Sequence, residues 1–141
     1  MAQTQCSDPG TLIAGEDMRG SVAGTLLTIN SSGQAVRTTT ATDVVAAILR
    51  TDIPTAANGG KNPNGRAIPV WPINKAFQVP VLMSAAAAAG RLLVPTTTTG
   101  QAGSVANVAG LATNQVAFGV VLEAATAADE VITALAHVMS D

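Results

Sequence analysis

The chain has 141 residues, and its seven basic and nine acidic side chains leave a formal net charge of −2. That length fits one domain, or two small ones if each repeats the other, and with 11% charged residues no strong field can be gathered to attract nucleic acid or a membrane surface. The hydrophobic share is 48% but the aromatic share only 2%, so the core is built from small aliphatic side chains that each remove little apolar area from water, and self-association would make up the shortfall.

The first ten residues, Met1 to Gly10, are polar, include Pro9 and show no periodicity. They read as an arm outside the body, either frayed or ordered by strand addition on a partner surface. The first twenty residues have no basic start followed by an apolar run, so they do not read as a secretory signal. Cys6 is the single cysteine, which excludes an internal disulfide framework and a cysteine-only metal site. Residues 25–29 (Thr-Leu-Leu-Thr-Ile) and 35–38 (Ala-Val-Arg-Thr) flank the turn residues Asn30-Ser31-Ser32-Gly33 and read as a β-hairpin. Val44 to Leu49 is a short apolar run whose length suits a strand buried on both faces. Pro54 to Gly65, with Asn58-Gly59-Gly60 and Asn62-Pro63-Asn64-Gly65, is an exposed loop. From Arg66 to Met83, the residues Pro69, Pro72 and Pro80 remove backbone donors and exclude a helix, leaving extended chain at sheet edges or strand ends.

Ala85 to Ala89 lie between Ser84, an N-cap residue type, and Gly90, a stop signal. They leave room for one helical turn, marginal alone because nucleation outweighs so few hydrogen bonds. Val79 to Ala89, the longest weakly polar stretch, is too short to cross a bilayer. The apolar runs Leu92 to Val94, Val116 to Leu122 and Val131 to Val138 again have strand length.

Laid side by side, the two halves repeat. Ala23 to Leu27 corresponds to Ala89 to Leu93, Val45 to Leu49 to Phe118 to Leu122, and Arg66 to Val70 to Glu130 to Ala134. In this alignment the second copy carries Thr96 to Gly110 as a lengthened connection and the first inserts Pro54 to Gly65, both in loops, where insertions cost least. The reading is an all-β fold: a compact barrel or sandwich over residues 11–141, built from two related β modules (about 23–74 and 89–139), with residues 1–10 as an extended N-terminal arm.

Three segments of the second half carry a resemblance: Ala85 to Val94, Gly119 to Ala125, and Asp129 to Ile132. In that order and spacing they resemble the short β-rich decoration, or cement, proteins of tailed-bacteriophage capsids. The first half is similar more loosely, through Ala14 to Asp17, Gly24 to Leu27 and Asp43 to Ile48. The proline-rich stretch around Trp71 and the Asn/Gly loop before it have no match in that pattern. The resemblance implies a non-enzymatic homotrimer that binds the major capsid protein on the outer face of the virion, is made in the host cytoplasm, and stabilises the expanded shell.

The residues themselves offer little chemistry. Glu16-Asp17 and Asp129-Glu130 are sequence neighbours, which point to opposite sides of an extended chain and cannot share a proton. His137 is the only histidine, and with Cys6 the only other soft ligand it cannot complete an ordinary zinc set within one chain. No Gly-x-Ser-x-Gly elbow is present. Gly60-Lys61-Asn62 lacks the Ser or Thr that follows the lysine of a phosphate loop. Seven scattered basic residues among three aromatics make no base-stacking platform. No catalytic, metal or cofactor residues are therefore assigned, and nucleic acid, membrane and small-molecule substrate are not expected as partners. Thr4, Gln5, Ser7 and Asp8 are assigned to shell contact, and Trp71 and Phe118 to a subunit interface or the core. Glu123, at a strand end, is placed either in the solvent or at a subunit seam beside Arg91 or Arg37. A β-sandwich module of a fibre or appendage that recognises a glycan or host surface is the alternative reading.

Overall fold

The computed structural model describes residues 9–74 and 78–140. Ten strands follow in chain order: β1 (Gly10–Ile13), β2 (Leu26–Ile29), β3 (Ala35–Arg37), β4 (Ala47–Leu49), β5 (Ala67–Pro72), β6 (Gln78–Leu82), β7 (Leu92–Pro95), β8 (Ala102–Val105), β9 (Val116–Val121) and β10 (Val131–Ser140). They form two five-stranded sheets in the orders β1-β5-β4-β2-β3 and β6-β10-β9-β7-β8, and every pairing within them is antiparallel. The second order is the first with each strand advanced by five, so the halves repeat in topology, and each unit begins earlier than the expected 23 and 89, with β1 and β6 as its first strand.

The equivalence extends to single residues. Ala67 lies opposite Ile13 as Val131 lies opposite Leu82, Ile48 opposite Leu26 as Val120 opposite Leu92, and Arg37 opposite Leu27 as Ser104 opposite Leu93. In each half a parallel bridge joins the two outer strands of the sheet order, Ala14 to Ala35 and Met83 to Ala102. The tight corners match too. Gly65 and Asp129 both have positive φ, 80° and 65°, and their N–H groups donate to the carbonyls of Ala14 and Met83, each at 2.8 Å. Both corners therefore share one backbone conformation, which glycine adopts freely and aspartate tolerates.

Two details of the sequence alignment are corrected by this register. Ala47 aligns with Gly119, not Val120, a slip of one residue that a run of small apolar side chains does not resist. Residues 96–110 are not one long insertion, because they contain β8, the partner of β3, and Gly33-Gln34-Ala35 matches Gly100-Gln101-Ala102. The added chain lies after β8, where residues 105–118, between Ser104 and Gly119, replace the shorter 38–46 between Arg37 and Ala47. The expected insertion before β5 is confirmed: residues 50–66 stand against 122–130, exposed in large part, with Pro63 buried as an anchor. The five alanines form no helical turn. Ala87 instead exchanges backbone hydrogen bonds with Ala125, at 3.0 and 2.9 Å, since an adjacent extended segment satisfies donors that so short a helix could not.

Burial follows the pleat. Along β10, Ile132 and Ala134 are buried while Val131 and Thr133 face out. In β2, β4 and β7 consecutive residues are buried on both faces, including Leu26-Leu27, Ile48-Leu49 and Leu92-Leu93. The reason is the packing of the two halves. Ala14, Met18, Leu27, Leu49, Ile68 and Val70 fill the interior of the first half. Its other face, through Leu26, Val45, Ile48 and Ile73, packs into one core with Val81, Met83, Leu93, Phe118, Val121 and Ile132 of the second half. Backbone hydrogen bonds cross the same seam: Leu26 N–H to Gly100 O (2.9 Å), Gly100 N–H to Thr38 O (2.8 Å) and Leu82 N–H to Gly24 O (3.0 Å).

Candidate functional site

Phe118 is 2% exposed and sits in the shared core. Trp71 lies opposite Ile48 on β5, packs against that core with part of its ring exposed, and carries the Arg50 guanidinium 5.5 Å from its ring centroid. A cation over the ring face contributes a modest attraction and also occupies the surface that a stacked sugar would need. Glu123 is exposed just past the end of β9, and neither arginine considered for it is its partner within the chain. Arg37 pairs with Glu16 at 3.0 Å, and Arg91 Nε donates to Ser104 Oγ at 2.9 Å. Thr4, Gln5, Ser7 and Asp8, assigned to shell contact, lie outside the described residues, as does Cys6.

The carboxylates are engaged in holding loops. Glu16 accepts from both the backbone N–H (2.6 Å) and the guanidinium (3.0 Å) of Arg37, tying the segment after β1 to β3. Asp17 pairs with Arg19 at 2.6 Å, and the hydrogen bonds from Arg19 hold its carboxyl below the ordinary carboxylate range. Asp43 closes the turn after β3 by accepting the N–H groups of Thr39 (2.7 Å) and Thr40 (3.0 Å). Partial burial pushes its pKa up, but together the hydrogen bonds outweigh it and the net shift is downward. Glu130 is held low by the hydroxyl and N–H of Thr126, closing the turn into β10. Asp129 takes a hydrogen bond from Gln101 Nε2 at 3.0 Å. Glu16 and Asp129 reach partners 21 and 28 residues away, which no local motif announces, whereas the Asp17-Arg19, Thr40-Asp43 and Thr126-Glu130 spacings of two to four residues were visible and went unread.

Two concavities open on the surface. One, of about 350 Å³, lies on the seam and is lined by Arg19, Ser21, Thr25 and Arg37 from the first half and Leu82, Thr99 and Asp129 from the second. Its two arginines are paired within the chain, Arg19 with Asp17 and Arg37 with Glu16, while Asp129 accepts only the Gln101 amide and Arg37 Nε is buried without a partner among the described residues. The other, of about 730 Å³, is a shallow depression walled by Ala85, Ala86, Ala88, Ala124, Arg91 and Ser104. His137 is exposed on β10, beside the register shift between Ala136 and Met139. Among the described residues no three of His, Cys, Asp and Glu gather as they would around a metal ion, and no helix is long and apolar enough to cross a membrane. No protein-family model, curated protein or solved structure matches the chain.

Proposed function

We propose that the protein is a decoration protein of a tailed-bacteriophage capsid: a homotrimer that binds the major capsid protein on the outer surface of the virion and stabilises the expanded shell. The observation that carries this reading is where the polar groups go. Ion pairs and turn closures take up Glu16, Asp17, Asp43, Asp129 and Glu130, so what the chain offers a partner is strand faces and loops. The segments that resemble the decoration proteins are also successive parts of one module. Gly90 to Val94 leads through β7, Gly119 to Ala125 ends β9 and continues to the Ala87 bridge, and Asp129 to Ile132 forms the corner into β10.

In this reading the parallel bridges Ala14–Ala35 and Met83–Ala102 close each half into a small barrel, and the arm is the chain before β1, one residue shorter than the expected 1–10 because Gly10 already pairs with Val70; its Thr4, Gln5, Ser7 and Asp8 touch the shell. Trimers match threefold or quasi-threefold positions, where three equal patches meet three equal partners, and several weak contacts per trimer add avidity. The glycan-binding alternative is less well supported, since Arg50 covers the face of the single tryptophan.

The test is cosedimentation with expanded and unexpanded shells assembled from a tailed-bacteriophage major capsid protein, that of the source genome. Saturable binding to expanded shells, little binding to unexpanded ones, and a trimer mass at micromolar concentration by sedimentation equilibrium are expected. A monomer that binds neither shell would overturn the proposal.

A further inference from the structure

Equivalent residues of the two halves meet different neighbours. Leu26 and Ile48 of the first half are buried in the core it shares with the second. Their counterparts Leu92 and Val120 are covered instead by Val108 and Leu111, from the connection between β8 and β9. That connection lies within residues 105–118, which stand in register where the first half has only 38–46. The fold thus carries one docking face twice: the first copy seats on the second half, and the second copy is covered by its own chain.

The rim of the receiving face is also present twice, although the apolar floor beneath it in the first half, Ala14, Leu27, Leu49 and Ile68, is filled by that half's own core. In the second half it includes Leu82 and Gly100, whose backbone groups bond across the seam. A methyl added at Gly100 would meet Thr25 Cγ2 at 2.6 Å, so the fit there is close. The counterparts in the first half are Ile13 and Gly33, and both are open. Ile13 is 44% exposed, and a methyl at Gly33 would meet nothing within 4 Å. Ile29, at the end of β2 that leads into the Gly33 turn, is 41% exposed.

We propose that residues 106–115 are an end cap. They keep the second docking face, Leu92 and Val120, from seating on the open receiving face around Ile13 and Gly33 of another copy of this chain. Such a contact would be head-to-tail and, where its rotation does not close, would grow into an open chain of molecules. This association differs from a closed trimer and does not depend on the shell-binding reading.

Exchanging residues 105–115 for the shorter and polar residues 38–43, which keeps the start of β9 and Phe118, removes the cap. In sedimentation velocity the exchanged chain is expected to form species that grow with concentration, well beyond those of the unaltered protein, and Ile13→Lys in the same background is expected to restore the original size. An exchanged chain that keeps the native circular dichroism and the original sedimentation profile would overturn the proposal, as would growth that Ile13→Lys leaves unchanged. Should the exchange cost the fold, Val108→Ser with Leu111→Ser loosens the same cap at full chain length. That pair is expected to give the same concentration-dependent growth with the same rescue, and its absence in a folded variant counts against the cap.

Discussion

Phe118→Ala is expected to cost about 3–5 kcal/mol of stability, the range for truncating a buried aromatic. The side chain is 2% exposed and stands in the core where Leu26 and Ile48 of the first half meet Val121 and Ile132 of the second. Its neighbours are aliphatic and held on strands of two sheets, so they cannot collapse into the void without disturbing both. A domain of this size has only about 5–15 kcal/mol in total, so the loss is a large fraction of its stability and shifts the urea midpoint well down. Urea titration followed by circular dichroism measures the change. A loss under about 1 kcal/mol, the scale of an ordinary surface substitution or less, would show that the two halves do not share this core.

A second comparison uses the repeat as its own control. Gly24 and Gly90 are equivalent, with φ of 103° and 89°, and their N–H groups donate to the equivalent carbonyls of Leu49 and Val121 at 2.9 and 2.8 Å. Alanine strains the backbone at both, at about 1–3 kcal/mol. Only at Gly24 does the new methyl also strike the other half, 2.9 Å from Leu82 N and 3.2 Å from Val81 C, whereas at Gly90 it meets nothing within 4 Å. Gly24→Ala should therefore exceed Gly90→Ala by about 1–3 kcal/mol, the cost of overpacking. Equal losses in the same urea titration would contradict the seam as described, because the intrinsic backbone penalty is common to both positions.

Much of the architecture was legible in the residues. Turn residues flanked by short β-branched and apolar runs marked the hairpin of β2 and β3, the loop before β5 and the extended chain from Arg66 to Met83, although the edge position expected from the prolines holds for β6 and not for β5, which lies between β1 and β4 with Pro69 opposite Thr11. The repeat itself was visible in the order of its runs. What escaped has physical causes. β8 reads Ala-Gly-Ser-Val, too poor in strand-forming side chains to announce itself, and it forms because β7 offers an unpaired edge. The polyalanine segment favours a helix by intrinsic propensity but lacks the length, so its pairing with Ala125 wins. The one-residue slip between β4 and β9 arose because Ala, Gly and Val alternate without a large residue to fix which face is which. Of the site residues, Phe118 was legible as a large apolar side chain within a strand-length run. The Arg50–Trp71 stack and the Glu16–Arg37 tie were not, since they bring together residues distant in sequence.

The functional account rests on linkage: a ligand that binds only the expanded lattice stabilises it, by about 2.7 kcal/mol per independent site at a concentration one hundred times Kd. Differential scanning calorimetry of expanded shells titrated with the protein measures this most directly. The account predicts that the shell's melting temperature rises with protein concentration until the sites are full and keeps climbing slowly beyond, with unexpanded shells unmoved. A melting temperature that stays constant across the titration in expanded shells, or that rises equally in both forms, would contradict it.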